Sequence, residues 1–180
     1  SIDWAASKAA YRFFDNPEVD SQKIMLPHYE ATRLRCSNYE RIIIAQDTTY
    51  IDYSKHPKTK NLGKSFNSHG KDITGICQHV GLALTEKGLP LGLTYNQLWN
   101  RKETHQTEHE RNSLAIQLKE SYRWIKCMRE SKEILDNKDI IVVSDREGDI
   151  YEAFEEAYEL DIDVVIRSQH DRILEGDLKI

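Results

Sequence analysis

The chain has 180 residues, 39% of them apolar and 31% charged, and a net charge of −5. That is enough chain for one domain with one sizeable core, and the acidic total argues against a protein that coats nucleic acid generally. No apolar run approaches the roughly 18–20 residues that span a bilayer, and the opening SIDWAASKAAYRFF lacks the extended apolar core of a secretory signal.

Residues 4–14 (WAASKAAYRFF) favour helix, and Asp15-Asn16-Pro17 stops it. A second helical stretch covers about 20–36, interrupted or restarted at Pro27. From Arg41, RIIIAQDTTYIDY is β-branched and aromatic and reads as a strand. Residues 54–71 (SKHPKTKNLGKSFNSHGK) then carry Lys55, Lys58, Lys60, Lys64 and Lys71 with no acid. They read either as a solvated surface loop or as a basic loop able to touch a phosphate backbone. Residues 74–84 and 90–99 read as two further strands joined by a turn ending at Gly88, which predicts a hairpin.

The period then changes. Thr107 and Glu110 have capping-box spacing, and Leu114, Leu118, Tyr122, Ile125 and Met128 recur at helical spacing. The pattern predicts one long amphipathic helix ending near Asp136-Asn137. Residues 140–144 (IIVVS) read as a buried strand, Asp149 and Glu152 as a capping box, Ile150–Ala157 as a shorter helix, and 163–168 (DVVIRS) as a fifth strand. The three cysteines Cys36, Cys77 and Cys127 form no CxxC pair, which argues against a disulfide framework and for a reducing, cytoplasmic setting.

The order strand, strand, strand, helix, strand, helix, strand indicates an α/β chain: a mixed five-stranded sheet with flanking helices, preceded by a short helical segment. It matches the ribonuclease-H-like fold, in which the first and fourth strands are neighbours. That adjacency would bring Asp47, inside the first strand, beside Asp145, at the end of the fourth. Two like charges about 4 Å apart repel by about 4 kcal/mol at an effective dielectric of about 20, so such a pair takes up a proton or a cation. Hard oxygen donors favour Mg2+ or Mn2+. Two such ions can clamp the attacking and leaving oxygens of a phosphodiester. Simpler roles remain open: Asp145 as the cap of the following turn, and Asp47 as a partner of Thr48 or Thr49.

Asp47-Thr48-Thr49, Asp145-Arg146-Glu147-Gly148-Asp149 and Arg167-Ser168-Gln169-His170-Asp171-Arg172 stand in an order and spacing that resemble the cut-and-paste DDE transposases of the insertion-sequence-four family, the Tn-five type. Leu62-Gly63-Lys64, Gly92, Leu93, Trp99 and Arg101 add smaller similarities, and the resemblance covers nearly the whole chain. It implies that Asp47 and Asp145 are the first two members of the catalytic triad and hold Mg2+ or Mn2+. It implies DNA contacts from Arg146, Arg167, His170 and, in the basic stretch, Lys64. For Arg146, Arg167 and His170 a structural salt bridge is an equally good reading. Glu147 and Asp149 read as helix-start residues rather than metal ligands.

The family's third carboxylate lies in a Y-x-x-R-x-x-x-E-x-x-x-x-x-x-K pattern that no tyrosine of this sequence matches. The resemblance therefore divides the chain into residues 1–38, a helical segment leading from a DNA-binding domain; 39–170, a partial ribonuclease-H-like core; and 171–180, the start of an insertion segment. The expected partners are transposon-end DNA and a second copy in a synaptic homodimer, with no membrane. The expected behaviour is weak metal binding with little strand transfer, and one face of the sheet left poorly covered. Two alternatives are a ribonuclease-H-like nuclease recruiting Glu147 or Asp149 as a further ligand, and a non-catalytic DNA-binding or dimerising remnant.

Overall fold

The β-branched run starting at Arg41 forms β1 (Arg41–Asp52), the strand on which the rest of the sheet is assembled. The other strands are β2 (Gly63–Phe66), β3 (Asp72–Leu84), β4 (Pro90–Trp99), β5 (Asp139–Ser144) and β6 (Asp163–Ile166). In this computed structural model the described residues are 3–66, 72–101, 107, 109–110, 113–169 and 171. The strands make one six-stranded sheet in the order β2-β3-β1-β5-β6, with β4 also on β3. β1 pairs antiparallel with β3 and parallel with β5, and β5 pairs parallel with β6. Along β4-β3-β1-β5-β6 this is the ribonuclease-H-like arrangement that the sequence order indicates.

The sixth strand departs from the expected five. β2 lies within the stretch read as a basic loop and pairs with Asp72–Gly75, the part of β3 that extends beyond its ladder with β4. Its sequence, GKSF, is too short to alternate visibly, so only the free length of β3 makes it a strand. The hairpin between β3 and β4 forms as expected, with Gly88 at φ 80° in its turn.

Among the helices of the described residues are α1 (Trp4–Phe14), α2 (Ser21–Cys36), α3 (Tyr122–Ile134) and α4 (Tyr151–Glu159). α1 buries none of its residues. Pro27 does not interrupt α2, which runs through it. Proline forfeits one helical bond, but α2 is held from outside. His28 Nε2 accepts from the Leu93 N–H at 2.9 Å, and Arg35 donates to the Leu91 carbonyl. Thr32 and Cys36 are fully buried against β4 and the core.

The long helix expected from Thr107 is the largest correction. The capping box exists: the Thr107 N–H donates to Glu110 Oε2 at 2.7 Å, and the Glu110 N–H donates to Thr107 Oγ1 at 3.3 Å. The helix that packs on the sheet begins only at Tyr122. Extended backbone at Ala115 (ψ 146°) and Lys119 (ψ 148°) brackets a single 3-10 turn, Ile116–Leu118. Glu120 is drawn back to Arg101, which donates to it at 2.6 Å. Leu118 fits the helical period yet is 70% exposed, so its spacing misled.

The helices bury one face of the sheet. Ile42 and Ile44 of β1, Ala83 of β3, Leu91 of β4, and Ile140 and Val142 of β5 pack against Ile125 and Met128 of α3 and Ala153 and Ala157 of α4. Burial of these apolar side chains stabilises the fold at roughly 25 cal/mol per Å². The alternating residues Ile43, Ala45, Leu82, Leu84, Ile141 and Val143 are only half-buried, and Val165 is 60% exposed. Among the described residues no helix is long and apolar enough to cross a membrane.

His79 of β3 is a polar exception in the core, with no exposed surface. Its Nδ1 lies 2.9 Å from Thr48 Oγ1 and its Nε2 3.2 Å from Gln46 Oε1. A neutral imidazole protonated at Nε2 satisfies both contacts: it donates to Gln46 and accepts from the Thr48 hydroxyl. Desolvation, with the Arg123 guanidinium adding to it, pushes the His79 pKa down to about 3. The unfolded imidazole, titrating near 6.5, takes up a proton that the folded one refuses. Stability should therefore fall as pH drops below 6.5 toward 3, by up to about 1.4 kcal/mol per pH unit. Urea unfolding between pH 7 and pH 5 should show this slope and show it flattened in His79→Gln. An unchanged slope in that variant would contradict the assignment.

Candidate metal centre

β1 and β5 bring the two predicted carboxylates to one level. Every residue pair in their parallel ladder, from Arg41–Asp139 to Ala45–Val143, is separated by the same 98 positions. Asp47 and Asp145 keep that separation two residues beyond the last rung. Continued strand alternation would also put them on one side of the sheet. Ile42, Ile44 and Gln46 alternate inward on β1, as do Ile140, Val142 and Ser144 on β5, which leaves Asp47 and Asp145 exposed on the other face. At the opposite end of that face, level residues do touch: Arg41 Nε donates to Asp139 Oδ2 at 2.6 Å.

The β5–β6 ladder extends the row. It pairs Ser144 with Ile166, so the next level holds Asp145 beside Arg167, whose N–H donates to the Ser144 carbonyl at 3.3 Å. By register Asp145 and Arg167, each just past the end of its strand, thus fall level with Asp47 inside β1, with Arg146 next in the chain. Among the described residues neither Arg146 nor Arg167 makes an ion pair, and both are exposed. His170 lies outside the described residues. Lys64 is exposed on β2, level with Thr74, six residues along β3 from the Val80 that faces Asp47. At about 3.4 Å per residue that is about 20 Å away, so the fold does not bring Lys64 to the carboxylates.

The simpler roles of the acids are partly realised. Asp145 does cap the 3-10 turn Arg146–Gly148: its Oδ1 accepts from the Glu147 N–H at 2.9 Å. One oxygen of that carboxylate is used this way. Asp47 is exposed, so solvent offsets its charge, and among the described residues its carboxylate takes no hydrogen bond from Thr48 or Thr49. Thr48 Oγ1 is committed elsewhere, to His79 at 2.9 Å and Arg123 at 2.9 Å.

The two neighbouring acids do different work from that expected. Asp149 is not the cap of α4, whose N-cap is Ile150 without a side-chain bond. Asp149 is 3% exposed, and its Oδ2 accepts from the Gln169 N–H at 2.6 Å, tying the chain after β6 to the Asp145 turn. Glu147 accepts from Arg123 at 2.6 Å. Neither acid is disposed as a further metal ligand, and among the described residues no group of three or more His, Cys, Asp and Glu side chains is placed to hold a metal.

Arg123 is the residue that sequence reading missed. It lies in YRWIKCM at the start of α3, where an arginine reads as one more solvated charge, yet it is 8% exposed. Its guanidinium sits 5.2 Å from the Trp124 ring and 5.8 Å from that of Trp99. No pattern in the sequence marks it, because its partners come from β1 and from the turn after β5.

No family model matches the sequence. Solved structures similar to the chain include the Mos1 transposase catalytic domain with raltegravir and Mg, at 11% identity and a TM-score of 0.37, covering 85% of this chain and 65% of that one. The catalytic domain of the Mos1 mariner transposase is 13% identical with a TM-score of 0.37, covering 86% of this chain and 66% of that one. The Mos1 strand transfer complex is 10% identical with a TM-score of 0.35, covering 91% of this chain and 50% of that one. This chain thus spans between half and two thirds of the lengths of these proteins. At these values the likeness adds nothing to what the strand order already defines.

Gly148 sets how closely the Asp145 turn packs on the sheet. A Cβ there would land on the Ser144 hydroxyl, 3.0 Å from Ser144 Cβ and 3.4 Å from the Trp124 ring. Gly148→Ala should therefore cost about 1–3 kcal/mol through overpacking. Chemical denaturation would measure it, and an unshifted midpoint would contradict this packing role.

Proposed function

We propose that the chain is the metal-binding part of a DNA transposase catalytic core, which cleaves and joins DNA by phosphoryl transfer at a divalent cation. The observation that carries this reading is the constant register that sets Asp47 level with Asp145 on one exposed face. Two carboxylates, without sulfur or imidazole, form a hard-oxygen donor set that fits Mg2+ or Mn2+. Asp47 and Asp145 would hold the cation, Asp145 through the oxygen not spent on the Glu147 N–H. When bound, such a cation supplies charge neutralisation at a phosphodiester and acidifies a water or hydroxyl nucleophile.

The chain's own residues account for the rest. Arg167, one strand over from Asp145, and Arg146 present exposed guanidinium groups suited to bidentate phosphate contact. They would orient a DNA strand across the strand tips, with His170 as a further contact and Lys64 touching more distant backbone. The partners on this reading are transposon-end DNA and a second copy of the chain in the synaptic complex. The nuclease alternative that recruits Glu147 or Asp149 has less support, since one is paired with Arg123 and the other is bonded to Gln169.

Manganese-dependent nicking of plasmid DNA carrying the element's ends, by the chain joined to a helix bearing the family's third carboxylate, tests the reading. Nicking should fall by at least about 100-fold in Asp47→Ala and in Asp145→Ala. Arg167→Ala should weaken DNA binding, more at low salt than at high, because exposed charges are screened. Full nicking in either aspartate variant would contradict the proposal.

A further inference from the structure

The backbone ladder between β1 and β5 stops at Ala45–Val143, two residues short of the acids. Beyond that rung β1 continues along β3, while the chain after β5 turns into the 3-10 turn. A side chain from α3 spans the gap. Arg123 Nε donates to Thr48 Oγ1 at 2.9 Å, one residue after Asp47. A second guanidinium nitrogen donates to Glu147 Oε2 at 2.6 Å, two residues after Asp145. The third donates to the Glu120 carbonyl at 3.0 Å, which fixes the fork to the start of its own helix. Glu147 in turn donates its N–H to Asp145 Oδ1 at 2.9 Å.

We propose that Arg123 is a positioning residue that locks the Asp47–Thr48 stretch of β1 to the Asp145 turn, so that the two carboxylates keep the separation needed to share a cation. This inference rests on the metal-site reading above and adds to it a residue that touches neither acid. Burial leaves the guanidinium few alternatives. At 8% exposure beside two indole rings, it finds its compensation in Glu147, two neutral acceptors and, at 4.0 Å, the Glu120 carboxylate. The link continues inward, since Thr48 passes a hydrogen bond on to His79 and His79 to Gln46. This stretch of β1 is thereby held both by the helix and by the core.

The geometry needs a fork, not only a charge. A lysine at position 123 would keep the positive charge but could not reach three acceptors in one plane. That separates positioning from electrostatics. Arg129, on the same helix, is the control: it makes a bidentate pair with the buried Glu156 at 2.6 Å to each oxygen, away from the strand tips.

Mn2+ titration followed by electron paramagnetic resonance on the 180-residue chain tests the proposal without reference to activity. The parent chain should bind saturably, and Asp47→Asn or Asp145→Asn should abolish that binding. Arg123→Lys should weaken Mn2+ affinity about tenfold, the lower end of what loss of an outer-shell support costs. Arg129→Lys should leave the affinity unchanged even where it lowers the melting temperature equally. Thr48→Val cuts the same link at the β1 end with charge and volume retained, and should weaken affinity in the same direction. Unchanged or tighter binding in both Arg123→Lys and Thr48→Val would overturn the positioning role alone. No saturable binding in the parent chain would overturn the metal-site reading and this proposal with it.

Discussion

The parallel pairing of β1 with β5 is the constraint on which the rest of the molecule depends. These strands are 98 positions apart in sequence, with the β3–β4 hairpin and α3 between them in the chain. The ladder fixes a register, and in a parallel pair a fixed register fixes which side chains share a face. Ile42, Ile44, Ile140 and Val142 go inward as one apolar layer under α3 and α4. The same alternation sends Asp47 and Asp145 outward. The core and the candidate centre are thus two consequences of one set of hydrogen bonds. A slip of β5 by one residue would turn Asp145 inward and Ile140 and Val142 outward while β1 kept its facing.

The ladder alone does not finish the site. Backbone pairing ends before the acids, as it must where the chain leaves the sheet to turn. Side chains take over from there. Asp149 holds the segment after β6, the Asp145 carboxylate caps its own turn, and Arg123 joins that turn to β1. The bonds of Asp149 and Arg123 lie in partly buried settings, where an unmade bond is costly, while the Asp145 cap is exposed. The acids themselves stay in solvent, available to a cation or a phosphate-bearing partner.

Much of this was legible in the sequence, for identifiable reasons. β1, β3, β4 and β5 are long or strongly β-branched, so their composition announces them within about two residues of their observed ends. The adjacency of the acids followed from strand order, because few sheets accommodate that order. What failed was anything decided by distant partners. β2 exists because β3 has unpaired length to offer. The helix from Thr107 stops short because Ala115 and Lys119 are extended and Glu120 pairs with Arg101, none of which periodicity reports. Asp149 has the spacing of a cap but is spent on Gln169, and Arg123 looks like a surface charge until the fold encloses it.

The account's central claim is that Asp47 and Asp145 share a divalent cation. A crystal structure of the chain grown with Mn2+, read by the metal's anomalous scattering, tests it most directly. The account predicts an anomalous peak bonded to oxygens of both carboxylates, at about the 2.0–2.2 Å expected for a small hard cation. Carboxylates directed to opposite faces of the sheet, or a peak bonded to neither, would contradict it.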